Sequence, residues 1–179
     1  KLPILTQNIE EIGQYSDAQF KDRITVLGFF GNALQDKKAL ALNLNQKIYK
    51  RFYQFADFQF LIALPKGTEE QAEALKTELE GTTGTDMSRW NLVFLESEQL
   101  KSMFGSLYLP LELDQNLSNP YVFIIDREGN LRGRDDDDFV GYDARSVADI
   151  NNNMVDDVKV ILAEYRLALK KYNTDINPQ

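Results

Sequence analysis

The stretch ITVLGFFGNALQDKK, residues 24–38, joins a predicted strand to a predicted helix. Residues 24–30 are rich in β-branched and aromatic side chains, which is typical of a central strand buried on both faces. Residues 35–55 then repeat apolar side chains at steps of three and four, which predicts a long amphipathic helix. The loop between these elements offers no nucleophile, because its residues are Asn32, Ala33, Leu34 and Gln35.

Strand and helix patterns alternate along the rest of the chain. They predict strands at residues 58–64 and 90–95, helices at 69–79, 97–104 and 148–172, and a hairpin of residues 121–126 and 130–134. Parallel βαβ units followed by an antiparallel hairpin imply a mixed sheet with helices on both faces. We therefore predict an α/β protein, a three-layer α/β/α sandwich around a sheet of four to five strands. The predicted domain spans residues 24–173, between an N-terminal arm at 1–23 and a tail at 174–179.

Two residue types are missing from the composition. The 179 residues include no Cys and no His. Their absence excludes thiolate chemistry, imidazole general bases, the usual zinc ligand sets and the Ser-His-Asp arrangement. Most common catalytic designs are therefore excluded.

Charge and hydropathy narrow the range of partners. The chain carries 20 Lys and Arg against 28 Asp and Glu, a formal charge of −8, and this field repels phosphate backbones. We expect no nucleic-acid partner. The apolar runs are too short to span a membrane. The chain begins at Lys1 without an initiator Met, which is compatible with a removed signal peptide or N-terminal anchor.

Three segments carry a family resemblance. They are ITVLGFFGN at residues 24–32, SRWNLVFLESEQLKSMFG at 88–105 and NPYVFIIDREGNLRG at 119–133. Together they resemble the SCO/SenC family of membrane-anchored copper chaperones, with thiol-disulfide oxidoreductases of the TlpA type next. The hairpin phrase is the most specific of the three, since it combines a buried strand, a tight turn and a Pro at its entrance. The resemblance implies a thioredoxin-like fold.

The metal site of that family is not present in this sequence. SCO-like proteins carry a Cys-x-x-x-Cys pair and a His, which the resemblance places near Gln35, Ala39 and Ser118. All three ligands are missing. Sulfur for copper(I) could come only from Met87, Met103 and Met154, and Met in helical patterns is more typical of core packing. We therefore predict no cofactor and no copper or thiol chemistry.

Pro120 leaves two interpretations open. Thioredoxin-like redox proteins hold a cis-proline beside the active-site Cys, at the position that matches Pro120, so the resemblance allows a cis Asn119–Pro120 peptide. The alternative is that Pro120 begins a strand, where its missing N–H is harmless.

A run of carboxylates follows the predicted hairpin. Oxygen-rich clusters suit calcium or magnesium, so the weak metal candidates are Asp135, Asp136, Asp137, Asp138 and Asp143. The spacing does not match the twelve-residue calcium loop, and neighbouring side chains in extended backbone point to opposite faces. The favoured interpretation is a solvated loop that nearby arginines partly neutralise.

These observations favour a redox-inactive binding, scaffold or assembly protein rather than an enzyme. The predicted binding edge consists of Asn32, Ala33, Leu34, Gln35, Ser118, Asn119 and Pro120. We expect a protein or peptide partner there, docked through main-chain groups near Pro120. The alternatives are a carboxylate- or metal-dependent enzyme at residues 135–143 and a copper-related accessory protein with Met ligands. The resemblance further implies an exported, periplasmic or membrane-anchored protein.

Overall fold

The computed structural model describes residues 1–10 and 19–176. The strands are β1 Ile4–Thr6, β2 Ile24–Phe30, β3 Phe58–Pro65, β4 Trp90–Leu95, β5 Ser118–Ile125, β6 Leu131–Arg132 and β7 Tyr142–Asp143. The α-helices are α1 Lys38–Leu44, α2 Lys50–Phe52, α3 Glu69–Thr83, α4 Ser97–Gly105 and α5 Val155–Ile176.

Two of the predicted helices change their geometry along their length. A 3-10 turn at Leu34–Lys37 leads into α1, and a π-helical segment at Asn45–Tyr49 joins α1 to α2. A second π-helical segment, Asp149–Met154, leads into α5. The apolar periodicity therefore located both helical segments, but it did not distinguish α-helix from π-helix, because their side-chain spacings are similar over one or two turns.

One mixed sheet connects the strands in the order β1-β6-β5-β2-β3-β4, with β7 paired to β5. The strands β2, β3 and β4 are parallel, and β5 is antiparallel to β2. Within the described residues the sheet has seven strands rather than the predicted four to five. The difference comes from β1 and β7, which have three and two residues and are too short to show an alternating pattern.

Apolar side chains of the central strands alternate between two cores. Val26 and Phe30 join a cluster with side chains of α1, α3 and α5, whereas Leu27 and Phe29 join a cluster with side chains of α4. Successive side chains of a strand point to opposite faces, so helices cover both faces of the sheet. This confirms the three-layer α/β/α sandwich.

The predicted arm at residues 1–23 and the predicted tail at 174–179 lie partly outside the described residues. Within the described part of the arm, β1 pairs with β6, and Leu2 and Ile9 are buried. The guanidinium of Arg132 donates to the Leu2 carbonyl oxygen from Nε at 2.9 Å. The first ten residues are therefore bound to the sheet.

Candidate functional site

The loop that follows β2 lies against the residues that begin β5. Gly31 has a φ of +71°, and a Cβ on it would lie 2.4 Å from the Asn116 carbonyl oxygen and 2.7 Å from Cβ of Ser118. The Asn32 N–H donates to the same Asn116 oxygen at 3.0 Å. Only glycine fits this backbone conformation and this close approach. The structure therefore brings residues 32–35 and 118–120, the predicted binding edge, together at one end of the sheet.

The residues of the binding edge differ in exposure. The side chains of Asn32 and Gln35 are exposed, and they make no hydrogen bond to any residue that the structure describes. Leu34 is 3% exposed and belongs to the core between the sheet and α3. Ser118 and Asn119 are buried. The surface of this edge is therefore formed by two neutral amides above an apolar base.

A tight turn at residues 114–118 holds the start of β5. The Asp114 carboxylate accepts hydrogen bonds from the N–H groups of Asn116 at 2.8 Å and Ser118 at 3.1 Å, and from the Ser118 hydroxyl at 2.9 Å. Burial by itself would raise the pKa of Asp114. The hydrogen bonds from Ser118 and Asn116, with the charge of Lys37, outweigh it and hold the pKa of Asp114 below its usual range.

Replacement of Asp114 with asparagine is expected to lower the free energy of unfolding by about 1 kcal/mol at neutral pH, because the turn loses charge-assisted hydrogen bonds. Exposure of the carboxylate to water keeps the effect small. The pKa of Asp114 is lower in the folded protein than in the unfolded chain. The native protein should therefore have a higher free energy of unfolding than Asp114→Asn above about pH 4. This difference should disappear as the pH falls through the folded-state pKa of Asp114.

Urea denaturation of both proteins between about pH 2 and 7 measures this difference. The control is Asp137→Asn in the exposed acidic run, for which we expect no change in stability. A difference between native protein and Asp114→Asn that stays constant over the whole pH range would contradict the prediction.

The main-chain groups around Pro120 are already paired. The Ser118 carbonyl oxygen accepts from the Asp114 N–H at 2.9 Å, and the Pro120 carbonyl oxygen accepts from the Ala144 N–H at 3.0 Å. The Tyr121 N–H donates to the Asn119 side-chain oxygen at 2.9 Å. A partner at this edge would therefore first meet side chains rather than unpaired main-chain groups.

The Asn119–Pro120 peptide bond is trans, so the cis interpretation is wrong. Pro120 lies within β5, which is the alternative that the sequence left open. Pairing of Asn119 with Phe29 of β2 on one side and the Ala144 hydrogen bond on the other keep this part of β5 extended. Although Pro120 has no N–H to donate, the neighbouring backbone hydrogen bonds are sufficient to hold β5 extended at this position.

A groove opens beside the binding edge, between the segment at residues 34–38 and α3. Its volume is about 310 Å³, and its lining residues are Leu34, Gln35, Lys38, Gln71, Ala74, Leu75 and Glu78. We call it the α3 groove. The ammonium of Lys38 lies 3.1 Å from a carboxylate oxygen of Glu78, so an exposed ion pair joins its two sides. Its apolar base is formed by Leu34 and Leu75, which are both buried.

A second cavity, of about 400 Å³, lies at the acidic loop, residues 135–143. Its lining includes Tyr121, Arg134, Asp136, Asp138 and Tyr142. Arg134 forms an ion pair with the buried Asp157. The Tyr142 hydroxyl donates a hydrogen bond to the same carboxylate at 2.7 Å. Burial, followed by this hydrogen bond, raises the pKa of the Tyr142 hydroxyl.

The predicted metal candidates do not form a chelating cluster. The side chains at residues 135–138 are exposed, and Asp143 is paired with Arg145 at 2.9 Å. Over residues 1–10 and 19–176, no group of three or more His, Cys, Asp or Glu side chains is arranged to hold a metal ion. The described side chains of this loop therefore offer no chelating cluster to the alternative of a metal-dependent enzyme.

The three methionines are buried and divided between the two cores. Met87 and Met154 belong to the cluster shared with α1, α3 and α5, and Met103 to the cluster shared with α4. The sheet separates Met103 from the other two sulfurs. The methionines therefore pack the cores, and the alternative of a copper accessory protein with Met ligands is not supported.

Sequence reasoning missed Asp114 and the groove residues of α3. The spacing Gln71, Ala74, Leu75 and Glu78 follows one helix face, so it could have identified a shared surface. Nothing in that spacing indicates that the face lies opposite residues 34–38, because the contact joins segments far apart in the chain.

Comparisons with known proteins agree on the fold. No family model matches the sequence, and no curated protein matches it. A putative electron transfer protein from Aquifex aeolicus VF5 is similar with a TM-score of 0.55 and 18% identity, over 88% of this chain and 90% of that chain. A putative protein disulfide isomerase from Bacteroides thetaiotaomicron is similar with a TM-score of 0.54 and 14% identity, over 90% and 91%.

A SCO1/SenC family lipoprotein from Bacillus anthracis str. Ames is similar with a TM-score of 0.51 and 19% identity, over 94% of each chain. The fold is therefore thioredoxin-like, and the predicted resemblance to SCO/SenC proteins and thiol-disulfide oxidoreductases is confirmed at the level of fold. Since the chain contains no Cys, it cannot form the thiolate that thiol-disulfide exchange requires. Among the described helices, none is long and apolar enough to cross a membrane.

Proposed function

We propose that the protein is a redox-inactive thioredoxin-like domain that acts as a binding, scaffold or assembly module for a protein or peptide partner. The observation that carries the proposal is the loop at residues 32–35. It keeps a strand-loop-helix junction at the end of β2, but it presents the amides of Asn32 and Gln35 in place of reactive groups. We place the partner at the binding edge.

The chemistry of these two amides suits recognition rather than reaction. Each amide side chain has donor N–H groups and an acceptor oxygen, and it is neutral at all ordinary pH values. Such groups can pair with the main chain of a partner without the desolvation cost of a charge. Leu34 and the Gly31 contact with Asn116 hold the loop in place beneath them. A preorganised loop loses little conformational freedom on binding.

The proposal includes an exported or membrane-attached location. One of the similar structures is a lipoprotein, which supports this location for a domain of the same fold. The chain itself contributes the binding domain in this proposal, and attachment would come from a segment outside the described fold.

Site-specific photo-crosslinking tests the proposed edge. A benzophenone amino acid placed at Asn32 or Gln35 should form one discrete crosslinked product with a cellular partner. The matched control is the same residue at Glu128, which is exposed on the β5–β6 turn at the opposite end of the sheet. With the purified partner, Asn32→Ala with Gln35→Ala should weaken binding about tenfold. Equal crosslinking from Glu128 and from the edge would count against the proposal.

A further inference from the structure

The strand β4 forms an open edge of the sheet. It pairs with β3 on one side, and no described strand pairs with it on the other. Every residue of β2 and β3 is buried, whereas Asn91, Leu92 and Phe94 of β4 are half-buried. The outer side of β4 is therefore accessible to another molecule.

The main-chain groups of β4 alternate between β3 and this outer side. The carbonyl oxygens of Arg89 and Leu95 accept hydrogen bonds from N–H groups on the β3 side. The odd-numbered residues therefore direct their main-chain groups toward β3. Because successive residues of a strand direct these groups to opposite sides, the even-numbered residues Leu92 and Phe94 direct theirs outward.

The protein closes both ends of this outer edge with its own groups. The Trp90 N–H donates to the Met87 carbonyl oxygen at 3.0 Å, and the Trp90 carbonyl oxygen accepts from Lys76 Nζ at 2.9 Å. The Glu96 N–H donates to the Gln99 side-chain oxygen at 2.9 Å. Between these ends, the N–H and C=O groups of the two outward residues have no hydrogen-bond partner among the described residues. The centre of the edge is therefore open.

The opposite edge of the sheet is built differently. The strand β1 has three residues, and its pairing with β6 is irregular between Ile4 and Thr6. Short strands and irregular pairing prevent edge strands from pairing with other chains. By contrast, β4 has six residues in continuous register with β3, and its sequence WNLVFL contains no Pro and no charged residue. The centre of β4 therefore lacks the protection that β1 has.

We propose that β4 pairs antiparallel with β4 of a second copy of this protein. A two-fold axis at Val93 sets Leu92 of each copy opposite Phe94 of the other, so the open N–H groups of one copy meet the open C=O groups of the other. The strand is uncharged, so these facing side chains do not repel each other. Since each copy contributes the same edge, the association closes at two copies.

The pairing also fixes where the binding edges lie. The strands β2 and β4 are both parallel to β3, so the binding edge lies at the end of the sheet where β4 ends. Antiparallel pairing of β4 then places the two binding edges at opposite ends of one joined sheet. That the assembly holds two partners rests on the proposed function, whereas the pairing of β4 does not.

Charges outside the strand act against the pairing at low salt. Each copy has a formal charge of −8, and Glu73 and Glu80 are exposed on the same flank of α3 as Lys76. Salt screens repulsion between exposed charges of this kind. Association should therefore become about two- to fivefold tighter between about 0.05 and 0.5 M NaCl.

Sedimentation velocity of the full chain tests the pairing. Between about 1 and 200 µM, the average mass should rise from that of one copy toward that of two, with a dissociation constant of about 10–100 µM. Leu92→Lys should weaken association at least about tenfold, because it buries a charge at the centre of the paired edge. The matched control is Leu167→Lys at an exposed position of α5, which should leave association unchanged.

A second variant and a second measurement locate the contact. Leu92→Pro removes only an outward N–H, which an edge strand tolerates, and should also weaken association about tenfold. Circular dichroism verifies that each variant is folded. In the native protein, the Leu92 and Phe94 amides should exchange hydrogen more slowly at about 200 µM than at about 5 µM. The Val93 amide, which faces β3, should be equally protected at both concentrations.

Three results would overturn the inference. One is the mass of a single copy over the whole concentration range. Another is equal association of Leu92→Lys and Leu167→Lys. The third is exchange at Leu92 and Phe94 that does not depend on concentration in a protein that does associate, because the contact would then lie elsewhere.

Discussion

Replacement of Arg132 with methionine is expected to lower the free energy of unfolding by about 3–5 kcal/mol. The Arg132 side chain is 4% exposed, and its guanidinium lies 3.2 Å from Asp126 and 2.7 Å from Glu164. Methionine fills a similar volume, but it leaves the buried carboxylate of Asp126 without its cation. An unpaired buried charge is far more costly than the loss of an exposed ion pair.

Urea denaturation followed by circular dichroism measures the effect of Arg132→Met. The matched control is Arg145→Met, which removes the ion pair with Asp143 at a site where the Arg side chain is 59% exposed. We expect that control to cost less than about 1 kcal/mol. Equal losses for the two variants would show that the buried network contributes no more than a surface pair. Arg132 also donates a hydrogen bond to the Leu2 carbonyl oxygen. We therefore expect Arg132→Met to lower the protection of the backbone amides of residues 2–6 from hydrogen exchange.

Replacement of Gly31 with alanine is expected to lower the free energy of unfolding by about 2–5 kcal/mol and to displace the loop at residues 32–35. Part of the cost arises because alanine is strained at a φ of +71°. The larger part arises because the new Cβ would meet the Asn116 carbonyl oxygen, a backbone atom that cannot move as a side chain can. Chemical denaturation gives the stability loss, and crosslinking from Asn32 reports the position of the loop.

The control for Gly31→Ala is Gly84→Ala at the end of α3. Gly84 has a similar φ of +65°, but nothing lies within 4 Å of its added Cβ. We expect Gly84→Ala to lower the free energy of unfolding by about 1–2 kcal/mol, because only the backbone strain at a positive φ remains. Crosslinking from Asn32 should be unchanged in this variant. Equal losses of stability in the two variants would mean that the contact with Asn116 does not constrain the loop.

Periodicity in the sequence was sufficient to predict the main elements. The runs that became β2, β3 and β4 are buried or largely buried, and such runs identify strands from composition alone. The predicted hairpin corresponds to β5 and β6, and the turn between them has Gly129 at a φ of +81°. By contrast, β1 and β7 are held by long-range pairing with β6 and β5, which leaves no local signal.

The candidate site was predictable only in part. Asn32 and Gln35 follow from the junction between β2 and the first helical segment, since loop residues at the end of a buried strand are usually exposed. The burial of Ser118 and Asn119 could not be predicted from the sequence. It depends on their hydrogen bonds to Asp114 and Glu112 and on the pairing of β5 with β2. The side chains of Ser118 and Asn119 therefore support the edge rather than forming its surface.

The order of the secondary-structure elements and the side-chain chemistry available to the protein follow from the amino-acid sequence by itself. The alternation of apolar runs and helical patterns leads to a thioredoxin-like α/β fold, and the absence of Cys and His excludes thiol and imidazole chemistry whatever the fold. The surfaces available for binding depended on three-dimensional packing. Gly31 approaches Asn116 closely, and Leu34 and Leu75 line the same groove, although the residues of each pair are far apart in the chain. Contacts of this kind arise from the geometry of the whole sheet, so no local pattern of residues encodes them.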